Sequence, residues 1–455
     1  MIRTSDRSQP TQASTGQRLR MWPGGPPEPV ARRRLLLLLA LPAAALHSGR
    51  APLIAALLLL LAIPASALAH EPAATPPPDE DRLIRFPDTE GYRTLIVDLH
   101  THSVFSDGHV WPRIRVGEAL RDGLDALAIT EHLEWQPHRS DIPHPDRNRA
   151  YDEAVAAAAG HDLLIVRGSE ITREPPAGHM NAVFLDDANR LLQLDEEPDS
   201  DDPRDYYFAA GRWPPEAAVK AANDQGAFVF WNHAWWSRDN PLAIAEMTDF
   251  HQGLIDAGQL HGIEIVNGDH YAEEAFRMAL DHGLTPLGVS DVHNLIDWDY
   301  QPATGGHRPV TLVFATERTE TALREALFAG RTVVWFKDML LGRETQVANL
   351  LRAALDVTEA RYEPGLQVGR IRIANGSDAP IRLRNRSAYT FPEHGGAIEV
   401  PPHGSTRLLV RPGALLEELE LDFEVTSALI APQTHPRLRH RVRMEIPPES
   451  QAPRS

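Results

Sequence analysis

Short apolar runs alternate with helical patterns between residues 94 and 329 of the chain. The apolar runs cover residues 94–99, 126–129, 163–166, 181–184, 227–231, 262–266, 285–289 and 310–314. Helix candidates between them cover residues 112–121, 151–159, 214–223, 272–281 and 320–329. The runs are short and rich in Val, Ile and Leu, as buried parallel strands are. This repeated alternation predicts an α/β fold of the (β/α) barrel type.

The pattern changes after about residue 345. A helix candidate at residues 346–355 is followed by segments of alternating apolar and polar residues, such as 367–374 and 406–410. Turn signals such as Asn375-Gly376 separate these segments and predict a small β-sandwich-like domain. The predicted divisions are a leader at residues 1–69, a linker at 70–92, the barrel at 93–345 and a C-terminal β-rich domain at 346–455.

The leader has the features of an export signal. Arg32-Arg33-Arg34 precede two apolar runs at residues 35–46 and 51–63, and the small residue Ala69 ends the segment. This order predicts a secretory signal cleaved near Ala69, and hence an exported, periplasmic protein. Each run alone is shorter than the ~20 residues that span a bilayer. The alternative is that both runs together form an uncleaved N-terminal membrane anchor.

The charge and composition of the chain limit its partners. The formal net charge is −18, and residues 1–69 hold eight arginines and two acidic residues, so the remainder carries −24. A body this acidic is a poor binder of nucleic acid, and we expect a membrane contact only if the leader is retained. The absence of cysteine excludes disulfides, thiolate metal ligands and cysteine nucleophiles.

Histidines and carboxylates recur at the C-terminal ends of the predicted strands, where barrels of this type carry their active sites. One pair, His100 and His102, projects from the same side of an extended strand but would be a weak signal by itself. The nine candidates, spread over six strand ends, are His100, His102, Asp107, His132, Glu170, His179, His233, Asp291 and His293. Imidazole and carboxylate without thiolate suit manganese, zinc or iron, so the set predicts a multinuclear metal site.

These segments resemble the PHP superfamily, the polymerase and histidinol phosphatase fold, which is a distorted seven-stranded barrel. The matching segments are residues 98–108, 129–132, 168–170, 233 and 291–293. The chain is more similar still to exported Sb-PDE-type phosphodiesterases, through residues 168–173, 175–185, 262–267 and 330–344 and the β-rich tail. The resemblance implies a distorted (β/α)7 PHP barrel with metal-dependent phosphoesterase activity.

The resemblance also assigns the nine residues to ions. A first ion would be bound by His100, His102, Glu170 and Asp291. A second ion would be bound by His179, His233 and Glu170, which would bridge the two ions. A third ion would be bound by Asp107, His132 and His293. We expect two to three divalent ions, Mn²⁺ first, with Zn²⁺ or Fe²⁺ as alternatives. Many members of the family have Asp where this chain has Glu131, which we expect to support the ligands.

The expected reaction is hydrolysis of a small phosphodiester. A hydroxide bridging two ions would attack phosphorus in line, so Glu170 and Asp291, which would hold those ions, are the candidate catalytic residues. Three divalent ions, three carboxylates and a hydroxide leave a local charge of about +2, so an anionic ester can bind despite the acidic body.

Three residues are candidates for substrate contact. Arg173 and Arg331 carry guanidinium groups, which match phosphate oxygens, and Trp235 could form an apolar wall for a leaving group. Further candidates of the same kinds are Arg147, Arg149 and Trp236. A purely structural role is the alternative for each.

Other functions stay open. A phosphomonoesterase of the histidinol-phosphatase kind is one. An amidohydrolase also begins with a His-x-His pair but often needs a carboxylated lysine, and neither Lys220 nor Lys337, the two lysines of the chain, is well placed. An envelope binding protein with a vestigial metal site is the non-enzymatic alternative. The sequence leaves the oligomeric state open.

Overall fold

A computed structural model of the chain describes residues 82–236, 240 and 242–447. The predicted leader, its cleavage position and the first part of the predicted linker lie outside these residues. Within the part of the chain that is described, no helix combines the length and the apolar character needed to cross a bilayer.

The first part of the structure is a mixed α/β arrangement. Its strands are β1 (Arg93–Asp98), β2 (Ala126–Ile129), β3 (Leu164–Thr172), β4 (His179–Val183), β5 (Phe228–Trp231), β6 (Gly262–Asn267), β7 (His270–Tyr271), β8 (Thr285–Val289), β9 (Val310–Ala315), β10 (Thr332–Phe336) and β11 (Met339–Gly342). Its helices are α1 (Pro112–Asp122), α2 (Arg149–Ala158), α3 (Pro203–Ala210), α4 (Pro215–Asn223), α5 (Asp249–Asp256), α6 (Glu273–Asp281), α7 (Ile296–Asp299), α8 (Glu320–Phe328) and α9 (Glu344–Ala354), with 3-10 turns at Ala188–Leu191 and Pro302–Thr304.

These strands form one curled sheet, a half-barrel. The strand order is β11-β10-β9-β1-β2-β3-β4-β5-β6-β7, and β8 pairs with β6. A parallel bridge between Thr101 and Val292 brings the chain after β8 beside the chain after β1. Because β1, β2 and β3 are parallel to one another, their C-terminal ends meet at the same rim. The predicted α/β barrel is confirmed in this curled form.

Two strands depart from the predicted parallel order. β4 is antiparallel to both β3 and β5, and β9 is antiparallel to β1. Only residues 173–178 connect β3 to β4, whereas a parallel crossover needs roughly a dozen residues or more. β4 therefore returns as a hairpin, and this places His179 opposite Thr172 and Asn181 opposite Glu170.

Burial on both faces explains the continuous apolar runs. In β2, Ala126 and Ala128 pack in one cluster with the neighbouring strands, whereas Leu127 and Ile129 pack with residues of α1 and α2. A strand that lies between a helical layer and the barrel interior has no face for polar residues. Polar ligands are therefore confined mainly to strand ends.

The C-terminal part is a two-sheet β domain, as the alternating pattern predicts. Its strands are β12 (Leu355–Tyr362), β13 (Gly369–Asn375), β14 (Ile381–Asn385), β15 (Ala397–Val400), β16 (Ser405–Val410), β17 (Glu418–Val425), β18 (Ala428–Leu429) and β19 (Arg437–Arg443). One sheet has the order β12-β13-β16 and the other β15-β14-β17-β19. β18 instead pairs in parallel with β11, so the C-terminal part adds a strand to the edge of the barrel sheet.

A stacked ring pair supports the strand that leads to the rim. His251 on α5 lies fully buried against Trp231 at the end of β5, with ring centroids 3.6 Å apart and an interplanar angle of 13°. Its Nδ1 lies 2.7 Å from the hydroxyl of Thr248. Burial lowers the pKa of His251 to about 3, so this ring is neutral in the folded protein at pH 7.

The neutral state of His251 makes stability depend on pH. In the unfolded chain His251 takes up a proton below its ordinary pKa of about 6.5, whereas in the folded protein it stays neutral until about pH 3. Stability is therefore lost as the pH falls below about 6.5, by about 2 kcal/mol at pH 5.

The variant His251→Phe tests this dependence. It keeps a ring against Trp231 but cannot be protonated. We expect the unfolding free energy of the wild type, relative to that of the variant, to decrease by about 2 kcal/mol between pH 7.5 and pH 5 in denaturant titrations. An unchanged difference would contradict a neutral buried imidazole.

Candidate metal centre

The rim of the sheet brings two histidines and two carboxylates together. His100 and His102 are fully buried, and their Nε2 atoms are 3.0 Å apart. Asp291 Oδ1 lies 3.2 Å from Nε2 of His100 and 3.1 Å from Nε2 of His102. Glu170 places one carboxylate oxygen 3.6 Å from His100 Nε2 and the other 3.4 Å from His102 Nε2. Two ligands that are each about 2.1 Å from one ion are separated by roughly 3.0–3.4 Å, so these four groups have the spacing of donors around one ion.

Glu170 also faces a second group of imidazoles. Its Oε1 lies 3.0 Å from Nδ1 of His179 and 3.6 Å from Nε2 of His233. The rings of His179 and His233 have centroids 5.0 Å apart. The carboxylate of Glu170 therefore lies between two sets of histidines, which is the position of a bridging ligand.

A third group surrounds Asp107. Its Oδ1 lies 3.0 Å from Nε2 of His293 and 3.4 Å from Nε2 of His132. His132 also lies beside Glu170, since its Nδ1 is 2.6 Å from Glu170 Oε2. The angle of this contact does not suit a hydrogen bond. The same Nδ1 is hydrogen-bonded with the hydroxyl of Thr172 at 2.7 Å. The structure thus brings all nine predicted residues to one rim. It adds that His132 borders the second group as well as the third.

Two of these residues have a backbone conformation that L-amino acids adopt rarely. The φ angle is 24° at His233 and 50° at Asp291. Such conformations persist where surrounding contacts fix them, and they occur often at functional sites. The backbone N–H of Asp291 donates to the carbonyl of His100 at 2.9 Å, which holds the turn after β8 against the turn after β1.

The donor set passes a test of fit for divalent ions. Asp107 Oδ1, Glu170 Oε2 and Asp291 Oδ1 are buried carboxylate oxygens without a hydrogen-bond partner. Each of these oxygens instead lies 2.6–3.1 Å from a histidine nitrogen, and a divalent cation shared with the imidazoles would offset the cost of burying the carboxylate. One of these oxygens belongs to each group of donors. Nitrogen and oxygen ligands without sulfur fit Mn²⁺, Zn²⁺ or Fe²⁺.

Histidines and carboxylates of the centre shift one another's pKa. Burial lowers the pKa of His102 to about 3, and the charges of His293 and His132 add to this shift. Burial acts to raise the pKa of Glu170, but His132 and His100 outweigh it and hold this pKa well below its ordinary value. Glu170 is therefore ionised and His102 neutral at pH 7. Burial acts to lower the pKa of the other rings, but the neighbouring carboxylates outweigh it and raise the pKa of His100 and His132 well above its ordinary value and that of His293 to about 9. A divalent cation would take the place of those protons.

Three supporting residues were not predicted from the sequence. Glu264, in the middle of β6, is fully buried and lies 2.7 Å from Nδ1 of His100. Asn232 donates to Glu170 Oε1 at 2.8 Å, and Asn267 donates to Asp291 Oδ2 at 3.0 Å. The sequence did carry a signal for Glu264, because a charged residue inside an otherwise apolar buried run is rare unless it has a partner.

Glu131 acts through serine hydroxyls. Its carboxylate accepts hydrogen bonds from the hydroxyls of Ser103 and Ser106, and the Ser106 hydroxyl lies 3.3 Å from Nδ1 of His102. Burial raises the pKa of Glu131, against the effect of these serines. The side chain thus supports His102 from the side away from Asp291.

The structure places the predicted arginine contacts elsewhere. Arg331 donates to the carbonyl of Phe314 and pairs with Glu325, beside the N-terminal end of β1 and opposite to the ligand rim. This corrects the expectation for Arg331. Sequence spacing does not reveal that β10 runs antiparallel to β9, which puts the start of β10 at the far end of the sheet.

Arg173 lies nearer the rim but is engaged internally. It is buried, its Nη2 is 2.8 Å from Glu134, and its Nη1 donates to the carbonyl of Ala210. Burial raises the pKa of Glu134 to about 7, against the opposing effect of Arg173. Arg173 therefore supports the loop behind His132 and does not present a free guanidinium to a substrate.

The two adjacent candidate tryptophans lie in different surroundings. Trp235 is buried and packs against His270, with ring centroids 4.7 Å apart. Trp236 is 50% exposed, and its ring centroid lies 5.3 Å from that of His179 and 5.6 Å from that of His233. Trp236, and not Trp235, is the tryptophan at the metal centre.

The curled sheet and its rim of imidazole and carboxylate donors define a metal-binding α/β protein. A family model described as an Ig-like domain (DUF5001) matches residues 355–440. A solved two-domain protein of Bacteroides vulgatus, which contains a predicted PHP-like metal-dependent phosphoesterase, is 35% identical, with a TM-score of 0.70 over 79% of this chain and 98% of that chain. The chain therefore belongs to the family of PHP-like metal-dependent phosphoesterases with two domains.

More distant solved structures add little. A metal-dependent phosphoesterase of Bifidobacterium adolescentis is 21% identical with a TM-score of 0.32, over 44% of this chain and 88% of that chain. An amidohydrolase of Chromobacterium violaceum with bound sulfate and no metal is 19% identical with a TM-score of 0.30, over 44% of this chain and 87% of that chain. Such TM-scores are too low to define a fold. No curated protein matches the chain.

A carboxylate that bridges two ions and one that binds a single ion should lose different amounts of metal when they are removed. Glu170 borders two groups of histidines, so Glu170→Ala should lose the ions on both sides of it. Asp107 faces His132 and His293, so Asp107→Ala should lose one ion. Metal analysis of the two desalted variants beside wild type, with circular dichroism as the check on folding, measures the difference. Equal metal contents in the two folded variants would contradict the bridging position of Glu170.

Proposed function

We propose that this protein is an exported phosphodiesterase of the Sb-PDE type that hydrolyses small phosphodiesters with two to three divalent ions, Mn²⁺ first. The observation that carries the proposal is the position of Glu170 between two groups of histidines, in a centre made of nitrogen and oxygen donors alone. Export rests on the predicted leader, and periplasmic location is part of the proposal.

The residues of the chain have defined tasks in this reaction. Glu170 and Asp291 would hold the ions, while Asn232 and Asn267 orient these two carboxylates. Bound divalent ions would supply Lewis-acid stabilisation of phosphoryl oxygens and an acidified water. The protein thus supplies position and charge, and no nucleophilic side chain is required.

The partners of the candidate arginines favour a phosphodiester substrate over a phosphomonoester. A phosphomonoester is a dianion at pH 7 and is commonly held by free arginine forks. The arginines predicted as phosphate contacts are all engaged elsewhere, since Arg173 pairs with Glu134, Arg331 with Glu325 and Arg149 with Glu153, and Arg147 bonds the Tyr206 hydroxyl. A diester carries a single negative charge and therefore needs less support from cationic side chains.

Trp236 supports a leaving group of apolar or aromatic character. Its exposed ring lies beside His179 and His233, next to the proposed bridging carboxylate. An indole face contributes stacking and apolar contact to a planar group. We therefore propose that the ester has one aryl or similarly planar substituent.

The lysines argue against the amidohydrolase alternative. Lys220 and Lys337 are exposed and pair with Asp224 and Asp269, respectively. Neither lysine lies between the two groups of histidines, where a carboxylated lysine would have to bridge the ions and where Glu170 lies. The alternative of a binding protein with a vestigial centre is disfavoured because all nine donors are present.

A substrate panel tests the proposed reaction. With Mn²⁺ bound, we expect kcat/KM for bis(p-nitrophenyl) phosphate to exceed that for p-nitrophenyl phosphate by about tenfold or more, equivalent to about 1.4 kcal/mol of transition-state stabilisation. Glu170→Ala is the control for a contaminating esterase. Faster hydrolysis of the monoester would favour the histidinol-phosphatase alternative, and comparable hydrolysis of an N-acyl substrate the amidohydrolase. Metal loading without any hydrolysis would favour the binding protein.

The role of Trp236 predicts a selective effect. Trp236→Ala should lower kcat/KM for bis(p-nitrophenyl) phosphate by about tenfold and leave that for glycerophosphocholine, a phosphodiester with no aryl leaving group, nearly unchanged. Trp298→Ala, at an exposed tryptophan on α7, is the matched control. A loss of equal size on both esters would show that Trp236 stabilises the centre instead of contacting the substituent.

A further inference from the structure

Glu264 is a buried carboxylate that none of the assigned ligand groups includes. It lies in the middle of β6, and its side chain is fully excluded from solvent. Among the described residues, its side chain contacts His100, the backbone of His233 and Asn267. A carboxylate buried in this way is costly unless each oxygen accepts strong hydrogen bonds. Its partners are therefore the reason that it is tolerated there.

The two oxygens of Glu264 serve different donor groups. Oε1 lies 2.7 Å from Nδ1 of His100. Oε2 accepts from the backbone N–H of His233 at 2.7 Å and from Nδ2 of Asn267 at 2.9 Å. Nδ2 of Asn267 also donates to Asp291 Oδ2 at 3.0 Å. One carboxylate thus contacts His100, His233 and, through Asn267, Asp291.

The contact with His100 fixes the orientation of a ring. When Nδ1 of His100 is directed at Glu264, the opposite nitrogen, Nε2, is the one that faces His102 and Asp291. A carboxylate on the far nitrogen of a ligand histidine selects the tautomer whose other nitrogen binds the metal.

The contact with His233 fixes a strained turn. The φ angle of 24° at His233 is rare for a residue with a side chain. The hydrogen bond to Glu264 occupies the buried N–H of that residue. The turn directs the imidazole to Glu170, 3.6 Å from its Oε1.

We propose that Glu264 is a positioning residue that couples two metal positions, the one bordered by His100 and the one bordered by His233. Removing its charge should loosen both positions together, although Glu264 itself binds neither ion. This inference rests on the metal centre of the proposed function but not on the identity of the substrate.

The test is metal binding by Glu264→Gln. The amide keeps the size of the side chain, but its NH₂ group would face either Nδ1 of His100 or the two donors at the other oxygen, His233 N–H and Asn267 Nδ2. We expect the Mn²⁺ dissociation constants of both positions to rise by about 10- to 100-fold, as for other supporting partners of metal ligands. Apo protein is equilibrated with Mn²⁺ at free concentrations set by a chelator, and bound metal per chain is measured.

Two comparison variants make the result specific. Ile265→Ala removes a fully buried side chain from the same strand, in a cluster that holds none of the metal ligands, and should lower thermal stability without weakening Mn²⁺ binding. His100→Ala removes a ligand from one position only. Glu264→Gln should therefore weaken binding at the His233 side more than His100→Ala does.

Several outcomes would overturn the inference. Wild-type dissociation constants in Glu264→Gln would do so, as would weakened binding at the His100 side alone. Equal weakening in Ile265→Ala would show a general effect of stability. If Glu264→Gln weakens Mn²⁺ binding at both positions but the wild type does not hydrolyse phosphodiesters, the role of Glu264 stands and the proposed function does not.

Discussion

The centre depends on the burial of one carboxylate, that of Glu170, among histidines from several strand ends. The side chain is fully excluded from solvent, and its two oxygens face imidazoles on both sides. A buried carboxylate of this kind needs cationic or hydrogen-bonding partners, and Asn232 supplies only one hydrogen bond. Divalent ions bound by Glu170 and the imidazoles would satisfy the carboxylate and the nitrogens at the same time. The constraint therefore explains why the donors meet at this point of the fold.

The fold meets this constraint through strand direction and short connections. The hairpin between β3 and β4 sets His179 opposite Thr172, two residues from Glu170 on the same strand. The bridge between Thr101 and Val292 brings Asp291 and His293 to the histidines that follow β1. Glu264 and the two asparagines then orient the donors from behind. Precise donor placement is costly in conformational freedom, and the positive φ angles at His233 and Asp291 are part of that cost.

The sequence picked out the nine donors that meet at the rim because most of them follow apolar runs, and the end of a run is visible without a structure. It missed Glu264 because a residue inside a run is normally assigned to the core. It misplaced Arg331 because strand direction depends on pairing between distant segments. It chose Trp235 over Trp236 because adjacent residues on an irregular turn differ in burial only once the turn is known. The link between β18 and β11 depends likewise on long-range pairing.

Anomalous X-ray scattering from crystals of the protein grown with Mn²⁺ tests the multinuclear centre most directly. We expect at least two manganese peaks on opposite sides of the Glu170 carboxylate, one beside His100 and His102 and the other beside His179 and His233. A single peak remote from Glu170, or no peak at saturating Mn²⁺, would contradict a multinuclear centre organised by this buried carboxylate.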